Sequence, residues 1–135
     1  MWTMFVKSLA YSAFLAAFLV PPLIPTATSA SSLARSLKRL EPATRMLQVC
    51  DIEASKQISK KQKGVDRVVS EAASAPKTSG NEVTAKGAAF RAKGHWYAFQ
   101  YTCRVSSDHM KALSFTYKLG KEIPRSKWDA YELWQ

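Results

Sequence analysis

The sequence has few of the residues from which metal, redox and nucleophilic sites are usually built. Its 135 residues include two cysteines, two histidines and five glycines, and only ten carboxylates stand against twenty lysines and arginines. It contains no spaced Cys/His cluster, no glycine-rich phosphate loop and no recognisable Ser, His and Asp constellation. This inventory predicts no cofactor and no metal, and it disfavours an enzyme. The length excludes a multi-domain enzyme and allows one small domain.

The only long apolar run lies at the N-terminus. Lys7 precedes the apolar residues 9–20, prolines follow from position 21, and small residues end at Ala30. A basic start, an apolar core and a small-residue cleavage site are the three parts of a secretory signal peptide. The pattern predicts a cleaved leader over residues 1–30 and an exported chain. The alternative is an uncleaved leader that anchors the chain in the inner membrane, although the prolines interrupt the run early for a spanning helix.

The predicted export determines how the two cysteines are interpreted. Cleavage leaves a single domain over residues 31–135, which keeps both Cys50 and Cys103. An even number of cysteines in an oxidising compartment predicts a disulfide, with two buried free thiols as the alternative. The bond would close a loop of 53 residues. On the chain-entropy model, it would contribute about 4 kcal/mol to stability.

A long amphipathic helix is predicted over residues 42–62, after a shorter helical segment over residues 32–40. Apolar residues of the longer segment recur every three or four positions, and Cys50 lies in the middle of this apolar stripe. Pro42 suits the first turn of a helix, and Gly64 suits the position just after its end.

Strand patterns follow the predicted helix. A short β-prone run and three longer strands are predicted at residues 65–70, 82–92, 95–105 and 111–119. Residues 74–81 are predicted to form a loop, and Gly87 is predicted to form a bulge. The last two strands form a hairpin, with Cys103 on the apolar face of the first. Pro124 opens a short C-terminal helix.

These patterns together predict an α+β fold. The long amphipathic N-terminal helix packs on one face of a three- to four-stranded antiparallel sheet, and a short C-terminal helix closes the domain. Because Cys50 and Cys103 both lie on apolar faces, a bond between them would join helix and sheet inside the core.

Few polar residues form candidates for a catalytic site. His95 and His109 are predicted at opposite ends of the hairpin, too far apart to share a metal or a proton transfer. Asp108 could orient the neighbouring imidazole of His109, although capping of a turn is the simpler interpretation. Asp51 and Glu53 point away from each other on a helix, and they are predicted to balance Arg45 and Lys56. Glu53 could also pair with Lys56 or Gln57 on the same surface.

Basic residues give the clearest indication of a surface function. Arg45 lies near the start of the long helix, and Lys56, Lys60 and Lys63 form a basic stripe towards its end. Such a surface attracts anionic lipid headgroups, lipopolysaccharide phosphates, acidic polymers or an acidic protein. Nucleic acid is not expected for an exported protein. The alternative is a basic face with no dedicated partner. Trp96 extends this candidate surface if it is exposed, but the C-terminal segment is predicted to cover it.

Several short segments occur in the order typical of one protein family. They are LEPATRMLQVCDIEA at residues 40–54, DRVV at 66–69, GAAFR at 87–91, WY at 96–97, YTC at 101–103, DHM at 108–110, LSFTYKLG at 113–120, IP at 123–124 and the segment 128–133. Together they resemble domain-of-unknown-function family 930, found mainly in alphaproteobacteria, over residues 36–135. The resemblance implies a Gram-negative envelope location, hence the periplasm, and a structural role for both cysteines. It implies no activity.

Three functional hypotheses follow. The first is a non-enzymatic periplasmic domain that binds an anionic envelope component or an acidic protein through its basic surface, with no membrane span after cleavage. The second is a small envelope enzyme with an unrecognised site near Asp108 and His109. The third is an inhibitor-like or structural protein that acts by covering a surface.

Overall fold

Two helices precede five strands in the computed structural model, which describes residues 28–135. The elements are α1 (Thr28–Arg39), α2 (Pro42–Ser59), β1 (Val65–Val69), β2 (Lys77–Ser79), β3 (Glu82–Ala92), β4 (His95–Val105) and β5 (Ala112–Glu122). Two single 3-10 turns, Arg125–Lys127 and Asp129–Tyr131, follow the last strand. The predicted leader lies outside the described residues except for positions 28–30, which form the start of α1. Over residues 28–135, no helix is long and apolar enough to cross a membrane.

The longer helix begins where the sequence predicts. The Glu41 carboxylate accepts hydrogen bonds from the backbone N–H groups of Ala43 and Thr44 at 3.2 and 3.3 Å, and Pro42 occupies the first helical position. The prediction of a long N-terminal helix is nevertheless corrected. The 18-residue α2 is preceded by α1, and it ends at Ser59, three residues early.

All strand pairs are antiparallel, in the order β1-β3-β4-β5, with β2 also paired to β3. The sheet therefore has five strands instead of the predicted three to four. The additional strand, Lys77–Ser79, lies inside the predicted loop at 74–81 and pairs with the start of β3. All three of its residues are exposed, so it carries no alternation of apolar and polar side chains from which it could be predicted.

The predicted bulge at Gly87 is confirmed. The register between β3 and β4 shifts between Ala85 and Ala88. Residues of the β1–β2 connection lie directly on the bulge, because the Ala72 and Ala73 N–H groups both donate to the Gly87 carbonyl at 2.9 Å. A Cβ atom at position 87 would lie only 2.3 Å from a backbone nitrogen of this connection, so the close approach requires glycine.

One face of the sheet packs on α2 and forms the main core. Its members share very low exposure and include Met46, Cys50, Ala54, Ile58, Val83, Phe90, Phe99, Tyr101, Cys103 and Val105. The predicted disulfide is confirmed. Cys50 of α2 and Cys103 of β4 are both fully buried and bonded, with their Cα atoms 6.0 Å apart. The bond joins the helix to the central strand inside the core.

The C-terminal segment covers part of the opposite sheet face. Ile123, Trp128 and Leu133 pack around Trp96 in a second, smaller apolar cluster. The indole N–H of Trp96 donates to the Trp134 carbonyl at 2.8 Å, and that of Trp128 donates to the Ile123 carbonyl at 3.1 Å. The predicted short C-terminal helix is present only as two 3-10 turns. Its side chains do not extend over the rest of this face.

Candidate functional site

Arg45 does not belong to a free basic surface. Its guanidinium donates to the carbonyls of Leu37 and Leu40 at 2.9 Å and to that of Lys38 at 3.2 Å, all at the end of α1. A further bond of 3.2 Å reaches the Asp108 carbonyl in the β4–β5 loop. The carbonyls at a helix C-terminus lack partners within the helix, and a cation there also complements the helix dipole. Arg45 therefore fastens α1 and a distant loop to α2.

The lysines of the predicted basic stripe are exposed, whereas the tryptophan is not. Lys56 contacts the Glu53 carboxylate at 3.7 Å, and Lys60 donates to the side chain of Gln57 at 3.2 Å. Lys63 is exposed in the turn after the helix. Trp96 is fully buried under the C-terminal segment. Its ring is not available to a partner, and it does not belong to the candidate surface.

The residues of the hypothetical enzyme site hold the β4–β5 loop in place. The Asp108 carboxylate accepts hydrogen bonds from the Ser106 hydroxyl at 2.6 Å and from the Met110 N–H at 3.1 Å, as expected for a turn cap. These bonds lower the pKa of Asp108. The ring nitrogens of His109 lie 2.9 Å from the Pro42 carbonyl and 3.1 Å from the Asn81 side-chain oxygen. No hydrogen bond links Asp108 to the imidazole among the described contacts, so the two residues do not form a dyad.

His95 lies at the other end of β4, as the hairpin predicts. Its Nδ1 atom is 2.7 Å from a carboxylate oxygen of Glu122, on the exposed surface. No group of three or more His, Cys, Asp and Glu side chains in residues 28–135 is placed to hold a metal ion.

A polar cluster inside the fold was not predicted. Asp51 turns towards the sheet, where the Ser70 hydroxyl donates to its carboxylate. The same hydroxyl is 2.5 Å from the phenol oxygen of Tyr101. Asp51 therefore does not balance the neighbouring cations of its helix. A tyrosine on the apolar face of a strand signals such a cluster, since a buried phenol needs a hydrogen-bond partner, but the sequence does not show which residue supplies it.

Burial changes the acidity of this cluster. It raises the pKa of Asp51 from 3.8 to about 6, against the opposing effect of the Ser70 hydrogen bond. The pKa of Tyr101 is raised above its usual range for the same reason. The cluster lies between helix and sheet, so its geometry favours a structural function over contact with a ligand.

The part of the sheet face opposite α2 that the C-terminal segment leaves uncovered carries three shallow hollows, which together are named the sheet groove. Its largest hollow has a volume of about 320 Å³. The polar residues that line this hollow are Thr84, Lys86, Gln100, Thr102, Thr116 and Lys118. They come from the alternate positions of β3, β4 and β5 that point away from the main core. The sequence shows that β4 has a polar face. It does not show that the C-terminal segment leaves part of this face uncovered.

Two further hollows extend the sheet groove towards the C-terminal segment. The first, of about 240 Å³, shares Lys86 and Lys118 with the largest hollow and has Ala98 and Gly120 in its wall. The second, also of about 240 Å³, shares Lys86 and Ala98 and reaches Lys121 and Lys127. None of these four lysines forms an ion pair in the described structure. The groove can therefore attract an anion and offer it hydroxyl and amide hydrogen bonds.

Comparison with known proteins identifies the family. No curated protein and no solved structure matches the chain. The family model Domain of Unknown Function (DUF930) matches residues 37–133, from the last turn of α1 to the C-terminal segment. Because this match spans well over half of the sequence and all five strands, the chain belongs to the DUF930 family.

Proposed function

We propose that this chain is an exported, periplasmic protein that acts without catalysis as a binding domain for an anionic component of the cell envelope. The proposal combines the leader pattern of residues 1–30 with the surface charge of the folded domain. The disulfide between Cys50 and Cys103 supports export, since such bonds form and persist in oxidising compartments.

The observation that carries the proposal is that few lysines and arginines form a salt bridge with a carboxylate of the same chain. Residues 28–135 contain 19 lysines and arginines, and only three of them form salt bridges. These pairs are Glu53 with Lys56, Asp66 with Arg91, and Glu82 with Arg104.

All ten carboxylates lie in residues 28–135, so this part of the chain has a net charge of 19 − 10 = +9 even when every carboxylate is ionised. Asp51 is held inside the fold by Ser70, while Glu41 and Asp108 accept hydrogen bonds from backbone N–H groups. Glu122 contacts a histidine. The uncompensated lysines and arginines produce a positive surface potential, which attracts anionic partners and raises their rate of association.

Binding and its salt dependence test this proposal. The protein purified from the periplasm, with its disulfide intact, is mixed with phosphatidylglycerol vesicles, with polygalacturonate or with their neutral counterparts, phosphatidylcholine vesicles and dextran. We expect binding to at least one anionic probe, and we expect it to weaken steeply as salt screens the charges. Equal binding to anionic and neutral probes, or binding that salt does not change, would contradict the proposal. A product of the mass expected for cleavage after Ala30 supports export with cleavage, whereas an intact leader contradicts the cleavage and favours the anchored alternative.

A further inference from the structure

We propose that the sheet groove binds an anionic glycan. This inference rests on the proposed function and deepens it, because it names the part of the surface that binds and the chemical class of the ligand.

Three threonines form a straight row across the groove. Thr84 of β3 is paired with Thr102 of β4, which in turn is paired with Thr116 of β5. Neighbouring strands lie about 4.8 Å apart, so the row presents hydroxyl groups at a regular spacing. A hydroxyl both donates and accepts a hydrogen bond, as do the hydroxyl groups of a sugar. The row therefore matches a ligand that carries many hydroxyl groups.

A second row beside the threonines supplies positive charge. Gln100 of β4 is paired with Lys118 of β5, and Lys86 lies in the bulge of β3 on the same face. Lys121 and Lys127 continue the charge towards the C-terminal segment. One carboxylate, that of Glu122, also lines this end, so the four lysines outnumber the acid groups along the groove. The groove is thus complementary to a chain that combines hydroxyl groups with repeated acid groups.

The position of the groove on the sheet favours a glycan over a peptide. An extended peptide usually binds by adding a strand to a sheet edge, where backbone N–H and C=O groups are free. The sheet groove lies instead on a face. Its strands β3 and β4 are paired on both sides, and β5 is an edge strand whose free backbone groups point sideways in the plane of the sheet, not into the groove. Its specificity must therefore come from side chains, and in the largest hollow these are mainly hydroxyl, amide and ammonium groups.

The side chains of the groove favour a glycan over a membrane surface. Segments that lie on a membrane bury an apolar face in it. The side chains that line the largest hollow are mainly hydroxyl, amide and ammonium groups. They can form hydrogen bonds with the hydroxyl groups of a sugar chain, whereas they offer little apolar surface to a bilayer.

Two matched charge-reversal variants of the exported protein test the location. One changes Lys86→Glu and Lys118→Glu in the sheet groove, and the control changes Lys56→Glu on α2 and Lys60→Glu at its C-cap. Both alter the net charge equally at exposed positions. Against a polygalacturonate oligomer, we expect the groove variant to lose about tenfold or more in affinity and the helix variant to lose much less. Circular dichroism and an intact disulfide establish that each variant folds, and the corresponding glutamine variants replace any that does not.

Comparison of ligands tests the chemical class. We expect the wild-type protein to bind polygalacturonate more tightly than poly-glutamate or phosphatidylglycerol vesicles under the same salt conditions. Thr102→Val, which removes a hydroxyl without changing charge, is expected to weaken polygalacturonate binding and to leave poly-glutamate binding unchanged. Preference for the peptide or for vesicles overturns the glycan assignment, as does an unchanged affinity of the Thr102 variant for the glycan.

The outcomes separate this inference from the function on which it rests. If the helix variant loses binding and the groove variant keeps it, the sheet groove is not the site, although anion binding stands. If the wild-type protein binds no anionic probe, both proposals fail.

Discussion

Replacing Asp51 by asparagine is expected to stabilise the protein at neutral pH. The carboxyl group is held inside the fold by Ser70, and its pKa is raised from 3.8 to about 6 because burial disfavours the charged form. Asparagine has nearly the same shape and can keep a hydrogen bond with the Ser70 hydroxyl. The substitution therefore removes the cost of a buried charge and preserves most of the packing.

The size and direction of the effect follow from proton binding. Between about pH 4 and pH 6, the folded protein retains the proton of Asp51 that the unfolded chain loses, so stability decreases as the pH rises. The difference between 3.8 and about 6 corresponds to about 3 kcal/mol at neutral pH, an order-of-magnitude figure. Below about pH 4 both states are protonated, and this contribution is absent.

Urea denaturation at a series of pH values measures the effect. The free energy of unfolding of Asp51→Asn, minus that of the wild-type protein, should be small near pH 4 and rise to about 3 kcal/mol by pH 7. Asp129→Asn, which removes the same charge at an exposed position, serves as the control and should give a difference close to zero. A flat difference for Asp51→Asn, or a destabilised variant at pH 7, would refute the reasoning.

Three further variants test other contacts. Changing Cys50 and Cys103 to alanine opens a loop of 53 residues and should lower the free energy of unfolding by about 4 kcal/mol, measured with urea; an unchanged midpoint contradicts this. Arg45→Ala removes four hydrogen bonds to carbonyls and should cost about 2 kcal/mol, with faster amide hydrogen exchange in α1. Wild-type exchange rates in α1 would show that these bonds do not hold the helix. Gly87→Ala brings a Cβ atom within 2.4 Å of the Ser74 hydroxyl and should destabilise by about 2 kcal/mol in thermal unfolding; wild-type stability would mean that the β1–β2 connection moves freely.

The central strands could be predicted from sequence because strong local signals agree there. The positions of β4 alternate between apolar and polar along eleven residues, and Lys93 and Gly94 mark the turn that precedes it. The bounds of β3 and its bulge at Gly87 also match the prediction. In these elements the period of two and the turn chemistry specify the same structure.

The edges of the fold could not be predicted because their signals are weak. Lys77–Ser79 becomes a strand only by pairing with β3, and its exposed side chains show no pattern. In the C-terminal segment, Trp128 and Tyr131 lie three positions apart and pack in the same cluster, a spacing that fits an α-helix as well as 3-10 turns. The sequence therefore predicts that the segment packs on the sheet, but not its local conformation.

The candidate site depended on contacts between residues far apart in the chain. The sequence alone indicates that Arg45 is a surface cation. The fold brings the Asp108 carbonyl, 63 residues later, within hydrogen-bond distance of it. The sequence alone indicates that Asp51 is a partner for nearby cations. In the fold, its carboxylate accepts a hydrogen bond from Ser70. The lysine stripe on α2 was predicted from helical spacing alone, whereas the sheet groove depends on which half of a face the C-terminal segment leaves uncovered.

The Cys50–Cys103 bond also divides the chain mechanically. The covalent loop encloses β1, β2 and β3, while β5 and the C-terminal turns lie outside it. If the ends of the oxidised chain are pulled apart, the disulfide keeps the 53 residues of the loop from extending. The fully stretched oxidised chain is therefore about 190 Å shorter than the fully stretched reduced chain. Lys86 lies inside this loop and Lys118 outside it. Tension on the chain ends can therefore extend the β5 side of the sheet groove, but it cannot extend the β3 side.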